Sequence, residues 1–393
     1  MAKQNIVIVT DFNLSGSGYQ TIMEGIALEL CSVYDVTILG LKYDASEHYY
    51  PFRLITTHYQ WLPEHIISIV KALKADWLIV ALDVPKICAI LNAVHNRKFD
   101  LKTIKVAGIF PVEASPLDDM WAANLLRFTD VRFTFTNFGM RVLSDAKVSC
   151  NKISAGVDHF WYAKDSVPKL VEHANFVLTV ADNQVRKNLP AGLEIFARYL
   201  NVHPESDLYY VLVTSIASKD GWAFDSGKIC ERLGLDRSRV IYIDSNLPKE
   251  SLRGLYRHAA CLLQTSLAEG IGLPVYEAQA CGCPVLVTKD TGAAEAILLG
   301  DVIEYDKTFI YPWGNVDWRF VSIDDGVKKL EIVLNIVHRS IPFPSWRDAA
   351  NRVMIGLSIT EKIRHDFAER VNEKESSIEI IGNDASDSGQ NTG

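Results

Sequence analysis

No stretch of this chain approaches the roughly 20 consecutive apolar residues that a membrane-spanning helix requires. The best candidate, Trp77 to Leu91, is interrupted by Asp83, Pro85 and Lys86. Positive charge is also in short supply. The net charge of −8 argues against broad nucleic-acid binding and against strong electrostatic attachment to anionic lipid. The amino terminus passes from Met-Ala-Lys-Gln straight into an apolar strand, so no signal peptide is expected. Seven cysteines are odd in number and scattered, and Cys281-x-Cys283 is the only close pair. That pair reads as small residues beside a helix end rather than half of a metal site. The ten histidines show no H-x-x-x-H or similar ligand spacing, so no structural metal is expected. These absences fit a reducing cytoplasm. Peripheral membrane contact is compatible with them but has no basic amphipathic helix to support it. No internal sequence repeat is apparent, and the polar tail 373–393, ending SDSGQNTG, reads as disordered.

What is present is an alternation of Val- and Ile-rich runs with segments of helical length, which predicts parallel sheets covered on both faces. Strands are expected near Asn5–Thr10, Asp35–Gly40, Asp76–Ala81, Ile104–Ile109 and Val131–Thr136. A second set follows at Asn175–Ala181, Leu208–Val213, Arg239–Ile243, Ala260–Gln264 and Pro284–Val287. At 393 residues the chain exceeds one usual core, so two domains are the default. The periodicity lapses over Ile153 to Lys169, and the expected domains are 1–155 and 156–345. Beyond Asp324 the pattern turns helical, with a last helix expected over 346–372.

The stretch Ser266 to Glu295, SLAEGIGLPVYEAQACGCPVLVTKDTGAAE, carries the most chemistry. It reads as a glycine loop entering a helix at Leu273 or Pro274, since proline suits a first helical position. Gly282 suits a left-handed cap, and Pro284 opens the next apolar strand. Unpaired N–H groups around Gly270, Ile271, Gly272 and Leu273 would then point from a helix N-terminus, which favours a phosphate. Glu269 lies just before that opening, and Glu277 lies eight positions on, in the first turn or so. Two carboxylates flanking an anion site are poorly placed for phosphate and well placed to accept hydrogen bonds from hydroxyls. A phosphate with hydroxyls on either side describes a nucleotide sugar.

The same stretch resembles the E-x7-E signature of the large retaining glycosyltransferase family with the GT-B fold (glycosyl transferases group 1, family 4-like). The usual form is roughly S-x-x-E-G-F-G-L-P-x-x-E-A-x-A-C-G-x-P-V, from which this chain departs mainly at Ile271. Gly156-Val157-Asp158 likewise resembles that family's N-G-V-D linker, with Ala155 in place of asparagine. The resemblance implies an α/β GT-B fold, two Rossmann-like doubly wound domains facing a cleft, with the acceptor on the first and the donor on the second. The last helix would cross back to the first domain.

Further candidates lie outside that stretch. Arg186 and Lys187 sit just ahead of a helix N-terminus, where positive charge is disfavoured unless an anion is bound. The family has an Arg and a Lys here on the donor diphosphate, and Lys187 matches well. The family's earlier arginine is replaced by Ala181-Asp182, which leaves Arg186 to take its task or to be a solvated loop residue. Gly16 and Gly18 in the first turn permit close backbone approach to a ligand. Thr21 stands where a dinucleotide fingerprint needs a third glycine, which speaks against NAD. The loop Phe110–Pro116 lacks the histidine many relatives place near the sugar. Glu113 is its only ionisable side chain, in a polar role or as an ordinary loop acid. Tyr242 and Thr214 end or flank strands where relatives hold the nucleotide base largely through backbone groups. Gly292 and Glu295 match the family's later G-x-x-E, with a helix-start role equally open.

The implied activity is transfer of a sugar from a UDP-, GDP- or ADP-sugar to an acceptor hydroxyl, with retention of configuration and without metal or cofactor. Glu277 would take the ribose hydroxyls and Glu269 the sugar hydroxyls. The acceptor, a glycan, lipid-linked sugar or small molecule, is not specified by any motif. Two alternatives stay open: a catalytically inert GT-B nucleotide-sugar-binding protein, and a nucleotide-sugar epimerase, which lacks this E-x7-E block.

Overall fold

The computed structural model describes residues 3–13, 17–172, 175–215 and 224–364. The first lobe is a seven-stranded sheet built from β1 (Asn5–Asp11), β2 (Asp35–Leu41), β3 (Arg53–Thr57), β4 (Trp77–Ala81), β5 (Lys105–Ile109), β6 (Val131–Thr134) and β7 (Asn151–Lys152), in the order β3-β2-β1-β4-β5-β6-β7. Every pairing is parallel. The central strands are continuous apolar runs, buried along their length, as a sheet covered on both faces demands.

The second lobe repeats the plan with β8 (Phe176–Val180), β9 (Tyr209–Thr214), β10 (Val240–Asp244), β11 (Cys261–Gln264), β12 (Val285–Thr288) and β13 (Gly300–Ile303), in the order β10-β9-β8-β11-β12-β13. One set of buried side chains, including Ile6, Phe133, Phe176, Tyr256 and Trp346, runs continuously through both lobes.

The two passages between lobes lie side by side. Val157 N–H donates to Pro344 C=O at 2.8 Å. The helix that follows, at 346–364, packs on the first lobe. Its Glu361 accepts from Trp77 Nε1 at 2.9 Å and from Gln4 Nε2 at 3.0 Å, and pairs with Lys105. Arg347 pairs with Glu29 at 3.0 Å, and Arg364 pairs with Asp130. The expected helix segment 365–372 and the tail 373–393 lie outside the described residues.

Several elements differ from the expectation. Edge strand β3 and the two-residue β7 are additional, as is β13. So is an antiparallel hairpin, β14 (Tyr305–Tyr311) with β15 (Val316–Val321). An edge strand such as β3, five residues with only Leu54 and Ile55 apolar and both half-buried, gives little hydrophobic signal. The hairpin interrupts an otherwise parallel pattern with short runs that mix aromatic and charged residues. Its tip crosses to the first lobe: Asp317 N–H donates to Ser115 C=O at 2.7 Å, and the Trp313 ring meets Trp121 edge-on at 5.9 Å.

Candidate active site

Ligands of open parallel sheets gather beyond the carboxyl ends of the strands, and here both sheets direct those ends to a shared cleft. Behind β11, Ser266 to Gly272 forms a tight bend. Gly272 has φ +73 and caps the helix Leu273–Ala280, in which Pro274 is the second residue. Behind β8, the short turn Val185–Lys187 leads through Asn188, itself left-handed at φ +49, into the helix Leu189–Val202.

The two bends are stitched together. Leu267 N–H donates to Arg186 C=O at 2.8 Å, Arg186 Nη1 donates to Ala268 C=O at 2.8 Å, and Thr265 Oγ1 donates to Asn188 C=O at 2.9 Å. These bonds converge Arg186, Lys187 and Glu269. Glu269 is 7% exposed and meets Lys187 Nζ at 2.5 Å, Ser266 Oγ at 3.2 Å and Arg186 Nη1 at 3.5 Å. Burial alone would raise its pKa. Lys187 and Arg186 outweigh that and bring it down to about 2, so Glu269 is a carboxylate throughout the physiological range.

Glu113 joins from the first lobe, 3.0 Å from Arg186 Nη2. Desolvation at the cleft floor holds its carboxyl above the ordinary value, with Arg186 pulling the other way. Burial of Arg186 would weaken its charge, but Glu113 and Glu269 override this and hold the guanidinium firmly protonated. Two cations and two carboxylates thus form one neutral cluster.

The remaining predicted residues fall around or away from it. Gly270 lies against the first lobe so closely that a Cβ there would stand 2.6 Å from Pro111 Cβ. Ile271 is buried. Gly18 opens the helix Gly18–Leu30 opposite Leu273, its Cβ position 3.9 Å from Leu273 Cδ1. Gly16 lies outside the described residues. Glu277 is the fifth residue of its helix and accepts from Tyr256 Oη at 3.0 Å, with Lys249 and Asp158 as charged neighbours. Burial, only partly offset by Tyr256, lifts its pKa to about 7.

Thr214 ends β9 with a buried hydroxyl that has no hydrogen-bond partner among the described residues. Tyr242 lies on the edge strand β10, and its hydroxyl faces Cys230 and Ser226 on the helix Ser226–Leu233. Its side chain belongs to the packing of that helix. Glu295 reaches across the cleft to accept from Asn137 N–H at 2.7 Å and from Phe138 N–H. It therefore caps the helix Asn137–Asp145 of the other lobe, where an acid at a helix start is favoured.

Sequence reasoning missed Ser266, Tyr256, Asp83 and the hairpin aromatics. For the hairpin a signal existed: Pro312-Trp313-Gly314-Asn315 is a turn cluster between two β-prone runs. Beside the charged cluster, a cavity of about 300 Å³ is walled by Pro111, Leu117, Trp121, Tyr311, Trp313 and Trp318. Among the described residues, no three His, Cys, Asp or Glu side chains gather as a metal-ligand set, and no helix is long and apolar enough to cross a membrane.

Residues 227–312 match the family described as glycosyl transferases group 1, a span that contains Glu269 and Glu277. A D-inositol 3-phosphate glycosyltransferase from Corynebacterium jeikeium (strain K411) is 33% identical over 106 residues, 27% of this chain and 25% of that one. The serotype-specific mannosyltransferase WbdA of Escherichia coli is 26% identical over 186 residues, 47% of this chain and 22% of that one. The chain spans about a quarter of the length of these curated relatives.

Among solved structures, sucrose-phosphate synthase from Thermosynechococcus elongatus superposes with a TM-score of 0.64 at 13% identity, over 94% of this chain and 100% of that one. An E. coli trehalose-6-phosphate structure bound with UDP-2-fluoro glucose gives 0.62 at 12% identity, over 91% and 96%. Residues 227–312 therefore match the glycosyl transferases group 1 family, and the two lobes together have the GT-B fold.

Proposed function

We propose that the cleft transfers a sugar from a nucleotide-diphosphate sugar to an acceptor hydroxyl, with retention at the anomeric carbon. The observation that carries this reading is the convergence of Arg186, Lys187 and Glu269 beside the amides of Gly270 to Leu273. The curated relatives, a glycosyltransferase and a mannosyltransferase, support it, as does the UDP-sugar in the structural neighbour.

An arriving diphosphate competes with Glu269 for Lys187 and with Glu113 for Arg186. The helix N-terminus adds about half a positive charge. Together these stabilise negative charge as it builds on the leaving group, the task a divalent metal performs in other transferases. Glu269, released from Lys187, then accepts hydrogen bonds from the sugar hydroxyls. The bond from the anomeric carbon to the phosphate oxygen breaks as the acceptor oxygen bonds to the same face. The acceptor proton passes to the departing phosphate oxygen, so no side-chain base is needed.

Glu277 is assigned to the ribose hydroxyls, for which its ionised form is the better acceptor. Its pKa near 7 sets the sign: below that pH it is protonated and gives up acceptor capacity. The KM for donor should therefore rise as pH falls from 8 to 6, and the Glu277→Gln variant should have a high, pH-independent donor KM. A wild-type donor KM that is flat across this window contradicts the assignment. A raised carboxyl pKa also means that ionising Glu277 opposes folding. Its contribution to stability is greatest below the ordinary carboxylate range and is lost as pH rises through about 7.

Activity itself is tested by incubating the protein with UDP-, GDP- and ADP-sugars and an acceptor panel. Release of nucleoside diphosphate that depends on acceptor is expected. Binding of donors with no release from any of them favours the inert reading.

A further inference from the structure

The cavity beside the charged cluster is shaped by an element that the site's own chemistry does not require. In the β14–β15 register, Phe309 pairs with Trp318 and Tyr311 pairs with Val316, so these four share one face of the hairpin. Tyr311 and Trp318 stack at 3.9 Å with planes 6° apart. At the tip, Trp313 is 62% exposed and meets Trp121 of the first lobe edge-on. Rings from both lobes therefore wall a space that opens onto Arg186 and Glu113.

Charge narrows what this space can hold. Its ionisable lining is Asp83, Glu113 and Arg186, and none of the three offers a free cation. Arg186 is paired with Glu113 and Glu269. Of the neighbouring lysines, Lys86 is held by Asp83 at 2.7 Å and Lys187 by Glu269 at 2.5 Å. Arg319 leaves β15 on the opposite face, over the rings of Phe138 and Tyr305, where its Nη2 donates to Ser115 Oγ at 3.3 Å, and it is not part of the cavity lining. A phosphate entering here would meet two carboxylates, and the lining offers it no cation that is not already paired with a carboxylate. A sugar ring would find aromatic faces for its C–H surface, with carboxylate oxygens at one end to accept from its hydroxyls, the usual composition of a small-molecule site.

We propose that the β14–β15 hairpin and the loops after β4 and β5 form the acceptor site, and that its occupant is an uncharged saccharide stacked on Trp313 at the hairpin tip. Trp313 is a specificity-determining residue of that site, and Asp83 and Glu113 receive the acceptor hydroxyls. This rests on the glycosyl-transfer reading and names the acceptor class for it. It also separates the chain from fold relatives whose names are those of sugar-phosphate synthases.

The test compares neutral probes (methyl α-glucoside, methyl α-mannoside and cellobiose) with glucose 6-phosphate and mannose 6-phosphate. Each is followed by tryptophan fluorescence in the presence of nucleoside diphosphate, and by acceptor KM with an active donor. At least one neutral probe should perturb the fluorescence and show a KM at least tenfold below that of either phosphate. Trp313→Ala should raise that KM at least tenfold while the donor KM stays within twofold, with the nucleotide-induced melting shift as the control for folding. Val316→Lys, which places a cation in the wall, should lower the sugar-phosphate KM.

A preference for sugar phosphates in the unmodified protein overturns the proposal. So does an unchanged acceptor KM in Trp313→Ala, or failure of every neutral probe while nucleotide still binds. Absence of any nucleotide binding is a different result, and removes the transfer reading together with the proposal.

Discussion

Replacing Lys187 by alanine is expected to lower kcat/KM for the donor by roughly tenfold to a hundredfold. The estimate follows from the geometry around Glu269. Lys187 Nζ lies 2.5 Å from that carboxylate and is the only lysine within ion-pair distance of it among the described residues. Charge-assisted hydrogen bonds contribute about 1.5–3 kcal/mol each, and the loss of one from the transition state appears directly in kcat/KM. A second consequence follows from the coupling. Glu269 is held down near pKa 2 chiefly by Lys187 and Arg186 against its burial, so removing Lys187 raises its pKa and moves the acid limb of the pH–rate profile upward. Arg186→Ala should do the same more weakly through Glu269, because Nη1 lies 3.5 Å away. It should also leave Glu113 without its cation. An unchanged acid limb in Lys187→Ala, measured with saturating donor, contradicts the coupling even if turnover falls.

The second large effect is expected at Gly292, a residue with no side chain to contribute. A Cβ there would stand 2.1 Å from Gly270 C=O oxygen, 2.6 Å from its carbon and 2.9 Å from Glu269 O. All three are backbone atoms of the bend itself. Gly292 N–H also donates to Glu269 C=O at 2.7 Å, so the two strands of backbone are locked face to face. Its φ of −59 is ordinary, and the requirement for glycine is therefore one of space alone.

Gly292→Ala must push the bend away by the better part of an ångström. Overpacking of this kind costs about 1–3 kcal/mol of stability, and a displacement near 1 Å in a site can cost on the order of a hundredfold in rate. Activity should accordingly fall much further than the modest drop in melting temperature implies. Gly18→Ala provides the contrast, since its added methyl meets only Leu273 Cδ1 at 3.9 Å, and stability should be unchanged. Full activity in Gly292→Ala contradicts the assignment of the bend as the anion-binding element.

The central parallel strands were legible because they are short apolar runs buried on both faces. β1, expected at Asn5–Thr10, spans Asn5–Asp11, and β11, expected at Ala260–Gln264, spans Cys261–Gln264. The bend before Leu273 was legible for a local reason: glycine and proline constrain backbone wherever they stand. What sequence could not supply were relations between distant segments. Glu295, read as a helix-start or a ligand-contact residue, does stand in its own short helix Ala293–Ala296, but its side chain caps the helix Asn137–Asp145 across the cleft, which no local pattern shows. Glu269 and the two cations are about eighty positions apart, and only the pairing of loops after β8 and β11 brings them together. The hairpin escaped notice because β14 carries a consecutive polar run, Asp306-Lys307-Thr308, and is mostly exposed, so it lacks the continuous apolar run of a core strand.

The most direct measurement is a crystal structure of the protein with a bound nucleoside diphosphate, chosen from UDP, GDP and ADP by the largest melting shift. The diphosphate should lie against Lys187, Arg186 and the amides of Gly270 to Leu273, with the ribose hydroxyls on Glu277 and Glu269 turned towards the vacant sugar position. A nucleotide seated elsewhere, with Lys187 still bound to Glu269 and Glu277 still occupied by Tyr256 alone, would contradict the account.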